Sequence, residues 1–143
     1  MIFCDTSYLV RLYLEDPGWE VMRDLCATDA VAACELALAE IPAAFHRACR
    51  EGRLDAATHK ELRAQFLTDC QAGAFSWQPL TADIYRQLQE DYAALPFNCF
   101  LRAADALHLA CARAHGFSKV YSNDRHFLAS AEHFGLQGIN VIV

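Results

Sequence analysis

Four acidic residues from distant parts of the chain stand where they could do chemistry together: Asp5, Glu40, Asp105 and Asp124. Asp5 and Asp124 each follow a short apolar run typical of a buried strand, and Glu40 comes soon after another such run. Because ligands of a parallel α/β sheet bind beyond the carboxyl ends of its strands, the four carboxylates could meet at one rim of the sheet. Clustered carboxylates repel one another, and a bound divalent cation is the usual compensation.

The chemistry of such a site follows from its ligands. Ligands that are all oxygen favour Mg²⁺ or Mn²⁺ over zinc. A bound ion of this kind polarises a phosphate and supplies hydroxide for in-line attack, and two ions about 3.5–4 Å apart can clamp the attacking and leaving oxygens. Hydrolysis of phosphodiester bonds is the reaction that this arrangement suits.

Each acidic residue taken alone also has a structural interpretation. Asp124 could cap the helix that follows it. Asp5 could cap a helix too, but Thr6 and Ser7 are better placed for that role. Glu40, read by itself, is typical of a solvent-facing position. These alternatives stay open for each residue on its own.

Asp105 lies in the stretch Leu101–Ala114, LRAADALHLACARA, which we predict to be a helix packed in the core. An ionised Asp on a core helix is costly unless something compensates its charge. Asp105 could pair with Arg102 or His108, but a cation shared with the other acidic residues accounts for more of the pattern. Arg102 could orient Asp105, contact a phosphate, or form a purely structural ion pair.

Apolar runs of strand length alternate with segments of helical period along the chain. The predicted strands are Met1–Cys4, Ala30–Cys34, Ala74–Leu80, Ser118–Ser122 and Gly138–Val143. The predicted helices are Ser7–Glu15, Trp19–Ala27, Leu36–Arg50, Ala56–Gln71, Thr81 to about Leu95, Leu101–Ala114 and Asn123 to Phe134. Asp55 is predicted to cap the helix Ala56–Gln71, and Thr81 the helix that follows it. This alternation predicts an α/β fold with a central, mostly parallel sheet of four to five short strands flanked by helices. Pro42 predicts a kink or restart near Leu38–Ile41.

Composition sets further bounds. The 143 residues fit one domain, 1–143, and lack the roughly 18 uninterrupted apolar residues of a membrane span. The start MIFCDTSYLV reaches Asp5 too early for a signal peptide, so we expect a cytoplasmic protein. Seven cysteines without zinc-ligand spacing are interpreted as buried thiols. The net charge of −6 argues against a simple basic nucleic-acid binder but does not exclude a nuclease.

Four segments resemble the PIN domain, and more narrowly the VapC-type ribonuclease toxins of type II toxin–antitoxin pairs. They are FCDTSYLVRLYL, ELALAEIPAAFHRACREGRL, LRAADALHLACARAHG and VYSNDRHFLASAEHFGL. Their order and spacing agree over essentially the whole chain, and LRAADALHLA followed by SND is the most specific part. The resemblance implies a three-layer sandwich and a Mg²⁺- or Mn²⁺-dependent endoribonuclease. It also implies a homodimer, inhibition by a cognate antitoxin, and RNA targets that are often tRNA or ribosomal RNA.

The resemblance also implies roles for individual residues. The family's catalytic, metal-binding acids fall on Asp5, Glu40, Asp105 and Asp124. Its polar supporting residues fall on Thr6 or Ser7 and on Asn123. His108 could be a general base, but the resemblance favours a structural or supporting histidine.

The chain departs from the family pattern at two positions. Cys34 stands where relatives often have Ser, and Pro42 follows Glu40 closely, which could shift the Glu40 side chain.

Two other function classes stay open. A phosphatase or phosphotransferase with Asp5 as nucleophile would resemble the haloacid-dehalogenase-like enzymes, but these need a second Asp where Ser7 stands. A non-catalytic binding module would use the acidic residues as caps and surface charges. For partners, the apolar helices Ser7–Glu15 and Ala43–Arg50 predict a homodimer and a groove for an antitoxin segment.

Overall fold

A computed structural model describes residues 1–142, in which five short strands are all parallel. They are β1 (Ile2–Phe3), β2 (Val31–Cys34), β3 (Phe75–Gln78), β4 (Lys119–Tyr121) and β5 (Gln137–Ile139). β2 pairs with β1 and β3, and β4 pairs with β5. An isolated parallel bridge between Cys4 and Tyr121 joins the three-stranded and two-stranded sheets, which gives the order β3-β2-β1-β4-β5. The predicted α/β fold with a parallel sheet is confirmed.

Helices occupy most of the remaining chain. They are α1 (Thr6–Leu9), α2 (Trp19–Thr28), α3 (Ala37–Arg50), α4 (Ala56–Gln71), α5 (Ala82–Ala94), α6 (Ala103–Ala114) and α7 (Arg125–Ser130). Short 3-10 turns follow α1 at Val10–Leu12 and α7 at Ala131–Phe134. Asp55 and Thr81 accept hydrogen bonds from the backbone amides of Thr58 and Ile84, so both predicted caps are confirmed.

The sheet separates two hydrophobic cores. Ile2, Val31 and Phe75 face a core built with α1 to α4. Phe3, Ala32 and Cys34 point to the opposite face of the sheet and pack in a second core built with α5, α6 and α7. Successive residues of a strand point to opposite faces, so these short apolar strands bury both sides under helices, as parallel sheets require. The result is the expected three-layer sandwich.

Three local predictions differ from the structure. The first helix begins at Thr6, with Asp5 rather than Thr6 or Ser7 as its cap, and gives way to a 3-10 turn well before Glu15. α3 runs from Ala37 to Arg50 through Pro42 without a restart. Pro42 stands in the second turn, where its missing amide removes one hydrogen bond, to the carbonyl of residue 38. The last strand ends at Ile139, and Val143 of the predicted strand lies outside the described residues.

The surface differs in part from the expectation for partner binding. The larger apolar side chains of the predicted helix Ser7–Glu15, such as Leu9 and Leu14, are buried in the core instead of lying free for a partner. Within residues 1–142, no helix combines the length and the apolar character that crossing a bilayer requires. Exposed large apolar residues instead include Phe97 and Phe100, in the segment that leads into α6.

Candidate active site

The four acidic residues identified from the sequence line one cavity of about 360 Å³. Asp5 follows β1, Glu40 lies on α3 after β2, and Asp124 follows β4, so three strands deliver their acids from their carboxyl ends. Asp105 reaches the same cavity from the first turn of α6. The other lining residues are Thr6, Ser7, Arg47, Arg102, Ala104 and His108. The four acidic residues therefore meet at one rim of the sheet, as the sequence predicted.

Asp5 is held by a complete set of hydrogen-bond donors. Its Oδ1 accepts from the Ser7 hydroxyl at 2.6 Å and from the Tyr8 amide at 3.1 Å. Its Oδ2 accepts from the Ser122 hydroxyl at 2.5 Å. Only 6% of Asp5 is exposed, and burial raises the pKa of its carboxyl although the bonds from Ser122 and Ser7 oppose that rise. The Asp that a phosphatase needs two positions later is absent, and Ser7 instead stabilises Asp5.

Ser122 connects two of the acidic residues. It is fully buried at the end of β4, where its hydroxyl donates to Asp5 and accepts from the Asp124 amide at 3.0 Å. The Asp5 amide in turn donates to the Tyr121 carbonyl at 3.0 Å, across the junction of the two sheets. The relative position of Asp5 and Asp124 therefore depends on the contact between β1 and β4.

Glu40 and His108 form a pair inside the cavity. His108 Nε2 lies 2.5 Å from Glu40 Oε1, and the Thr6 hydroxyl donates to the same oxygen at 2.8 Å. Burial opposes both charges, but the mutual hydrogen bond and the attraction between the two charges together outweigh it: the pKa of His108 is raised and the pKa of Glu40 is lowered. His108 is only 2% exposed, and its Nδ1 has no hydrogen-bond partner within residues 1–142. The histidine thus supports Glu40, as the sequence interpretation favoured.

Asp105 is the carboxylate with the fewest local partners. In the described part of the chain its side chain accepts no hydrogen bond and forms no ion pair with Arg102, although both residues line the cavity. Burial raises the pKa of Asp105, and the charges of Asp124 and Asp5 raise it further. The positive charges of His108 and Arg102 oppose that rise only in part. Asp105 therefore faces other carboxylates, which was the costly arrangement anticipated for this helix.

Asp124 does what its structural interpretation predicted and also lines the cavity. Its Oδ1 accepts from the amides of His126 at 2.8 Å and Phe127 at 2.9 Å, which caps α7. The neighbouring Asn123 is exposed and is not among the cavity residues. One side chain, that of Asp124, is therefore both a helix cap and a cavity carboxylate. Within residues 1–142, the Asn123 side chain makes no hydrogen bond to any of the four acidic residues.

A divalent cation fits the donor set in composition, though no three His, Cys, Asp or Glu side chains of residues 1–142 lie close enough to share one ion as they stand. Glu40 is engaged by His108, and one oxygen of Asp124 is engaged by the amides of α7. The cavity nevertheless combines oxygen ligands with a surplus of negative charge, and the Asp105 carboxylate is unengaged. Mg²⁺ and Mn²⁺ prefer sites with these properties, whereas softer metals prefer other ligands.

Two residues beside the acidic cluster were not assigned to the site from the sequence. Ser122 was assigned only to a strand, and no short-range pattern shows that its hydroxyl faces Asp5. Arg47 lies seven residues after Glu40 on α3, so both side chains share one face of the helix. That spacing was a usable signal for Arg47, which lines the cavity and also bonds to Glu51 at 2.6 Å.

Solved structures with this fold include three from bacteria. VapC20 of Mycobacterium tuberculosis, a sarcin-ricin loop cleaving toxin, is 22% identical with a TM-score of 0.68, covering 91% of this chain and 95% of that one. FitAcB from Neisseria gonorrhoeae is 18% identical with a TM-score of 0.70, covering 98% and 97%. VapBC2 from Rickettsia felis, bound to a DNA fragment from their promoter, is 14% identical with a TM-score of 0.68, covering 98% of each chain.

The family assignment depends on a different comparison. No curated protein matches the sequence. A family model described as the PIN domain matches residues 2–132, which includes every acidic residue of the cavity. The resemblance seen in the sequence motifs is therefore confirmed over most of the chain, and this protein belongs to the PIN domain family.

Proposed function

We propose that this protein is a Mg²⁺- or Mn²⁺-dependent endoribonuclease and the toxin of a toxin–antitoxin pair. The observation that carries the proposal is the single cavity at the carboxyl ends of β1, β2 and β4, lined by Asp5, Glu40, Asp105 and Asp124 on a PIN fold. The similar fold of VapC20, named as a toxin that cleaves the sarcin-ricin loop, supports RNA as the substrate.

Different residues of the cavity bind the metal and the RNA. Asp5, Asp105 and Asp124 would bind the cation, with Glu40 as a further ligand. When bound, the cation supplies charge stabilisation at the phosphate and a water of lowered pKa. The protein's own contribution is to hold these carboxylates together and to orient them.

Supporting residues keep the carboxylates in place. Ser7 and Ser122 hold the two oxygens of Asp5, while Thr6 and His108 hold one oxygen of Glu40. The guanidinium groups of Arg47 and Arg102 offer contacts to the substrate phosphates.

The proposal extends to two protein partners. A cognate antitoxin would inhibit the enzyme, and an Arg side chain from it would be attracted into the acidic cavity. Homodimerisation belongs to the same proposal. Co-purification with the antitoxin and inhibition of RNA cleavage test the first partner, and a strictly monomeric protein at high concentration would contradict the second.

The central experiment compares Asp105→Asn and Asp5→Asn with the wild type in RNA cleavage with Mg²⁺ or Mn²⁺. Asp83→Asn is the matched control, because Asp83 is exposed on α5 and outside the cavity. We expect the cavity variants to lose cleavage while the control retains it, and growth inhibition on expression to follow the same order. Cavity variants that fold, bind metal and cleave RNA as fast as the wild type would contradict the proposal.

A second candidate, a non-catalytic binding module, is favoured by one observation. No three candidate ligands within residues 1–142 are close enough to share an ion in the present arrangement. Calorimetric titration with Mn²⁺ separates the two candidates. Binding by the wild type that is weakened in Asp105→Asn supports the nuclease, whereas no binding and no RNA cleavage supports the module.

A further inference from the structure

An aromatic group borders the acidic cavity and has no role in holding its carboxylates. Residues 95–102, between α5 and α6, expose two phenylalanines to solvent. Phe100 is 56% exposed and Phe97 is completely exposed. An exposed aromatic ring beside a nuclease site offers a face on which a nucleic-acid base can stack. Of the two rings, Phe100 is the one with contacts to residues at the acidic cavity.

Contacts with two neighbouring residues place Phe100 at the rim of the cavity, and 56% of the residue stays exposed. The guanidinium carbon of Arg102, which lines the cavity, lies 5.8 Å from the Phe100 ring centroid. The imidazole of His126 lies 4.8 Å away, centroid to centroid, and the His126 amide donates to Asp124. The ring is therefore flanked by one residue of the cavity wall and by the neighbour of another. We call Phe100, Arg102 and His126 the aromatic rim.

We propose that the aromatic rim binds an unpaired nucleotide of single-stranded RNA, with its base stacked on Phe100 and its phosphate contacted by Arg102. This inference rests on the proposed nuclease function and names the form of RNA that the site selects. Stacking on aromatic side chains is how proteins hold unpaired bases, whereas a base inside a duplex already has both faces covered. The neighbouring phosphate then points toward the cavity.

The charge distribution requires that short-range contacts hold the RNA. The protein carries a net charge of −6, and its cavity is acidic, so long-range attraction cannot supply the affinity for a polyanion. A ring face with a cation beside it supplies affinity without a basic surface. Along one strand, a base would meet the Phe100 ring, its phosphate the Arg102 guanidinium, and the neighbouring phosphate the metal-binding cavity. Few phosphate contacts also predict a weak dependence of binding on salt.

The test measures binding in a background that does not cleave. Asp105→Asn serves as that background because its side chain lies in the cavity but makes no hydrogen bond whose loss would disturb the fold. The probe is a short oligouridylate carrying one central 2-aminopurine, in the presence of Mg²⁺. Fluorescence anisotropy gives the Kd, and quenching of the 2-aminopurine reports stacking directly.

We expect Phe100→Ala to weaken binding about tenfold and to abolish the quenching, since single base–aromatic contacts contribute in this range. Phe100→Trp should retain both, whereas Phe100→Leu should behave like the alanine variant because it lacks a π face. Phe97→Ala is the matched control on the same segment and should bind like the parent. Arg102→Gln should reduce the salt slope of log Kd by about 0.7, the value for one phosphate of a single strand.

Unchanged binding and quenching in Phe100→Ala would overturn the inference. So would a change in self-association of Phe100→Ala, measured by sedimentation, with no change in Kd, because the ring would then be covered by a second copy of the chain. Cleavage by the wild type is measured in parallel. If the wild type cleaves RNA and Phe100→Ala has an unaltered KM, this inference fails and the nuclease proposal stands. If RNA binding depends on Phe100 but the wild type does not cleave RNA, this inference stands and the nuclease proposal fails.

Discussion

Replacing Ser122 with alanine tests whether one buried hydroxyl holds the two sides of the cavity together. The hydroxyl donates to the Asp5 carboxylate at 2.5 Å and accepts from the Asp124 amide at 3.0 Å. Loss of a hydrogen bond to a charged group costs about 1.5–3 kcal/mol, and a buried amide without an acceptor adds about 1 kcal/mol or more. We therefore expect Ser122→Ala to lower the free energy of unfolding by about 3 kcal/mol, and Tm by on the order of 10 °C.

Ser7→Ala is the matched control because Ser7 donates to the other oxygen of the same carboxylate at 2.6 Å. Ser7 is only half-buried, so water can replace its hydroxyl, and we expect a loss of about 1 kcal/mol. Urea unfolding followed by circular dichroism, with a chelator present, measures both variants. An unchanged m-value would show that the differences lie in stability and not in the compactness of the unfolded state.

Acid provides an independent check on the same reasoning. Burial raises the pKa of Asp5 above its ordinary value of 3.8, and Ser122 is the strongest opposing group, so Ser122→Ala raises that pKa further. A carboxyl with a raised folded-state pKa destabilises the protein as pH rises through the interval between the two values. The difference between Ser122→Ala and the wild type should therefore shrink as pH falls toward that interval. Equal losses in Ser122→Ala and Ser7→Ala, or a difference independent of pH, would refute the reasoning.

Three further predictions concern charge and backbone geometry. Asp105→Asn should raise Tm by about 3 °C with a chelator present, because it removes repulsion of about 1 kcal/mol from neighbouring aspartates, and a lower Tm in thermal melts would contradict this. The raised pKa of His108 implies that the free energy of unfolding falls as pH rises above 6.5, and the lowered pKa of Glu40 implies that it falls as pH drops below 4.5. In His108→Gln the urea midpoint should therefore no longer fall with pH above 6.5. Gly18→Ala should cost at least about 2 kcal/mol, since φ is +92° and a Cβ would overlap Ile142, and an unchanged urea midpoint would count against this.

Local signals predicted much of the architecture. α4 and α5 begin where the capping residues Asp55 and Thr81 indicated, because a cap acts within its own turn. The apolar stretch around Leu109 became the core helix α6 for the same kind of reason, since its composition leaves no polar face wide enough for a surface position. The convergence of the four acids followed from where they stand relative to predicted parallel strands.

Long-range contacts decided the features that sequence reasoning missed. Asp5 and Thr6 both suit an N-cap, and the choice of Asp5 is consistent with the donors that reach it from Ser122, far away in the chain. Glu40 and His108 are 68 positions apart and lie on two different helices, so no spacing rule could show their contact. Exposure likewise depends on packing, which is why the first helix was expected to offer an apolar surface that the core in fact uses.

The junction between the two sheets has a consequence for how the molecule opens. β1 meets β4 through a single bridge between Cys4 and Tyr121, together with the bond from the Asp5 amide to the Tyr121 carbonyl. A local opening that parts the strands there would move Asp5 away from Asp124 without unpairing β2 from β3 or β4 from β5. The cavity is thus built across the junction of the two sheets, and the lifetime of that junction sets how long the four acids stay assembled. Hydrogen exchange at the Asp5 amide reports that lifetime directly.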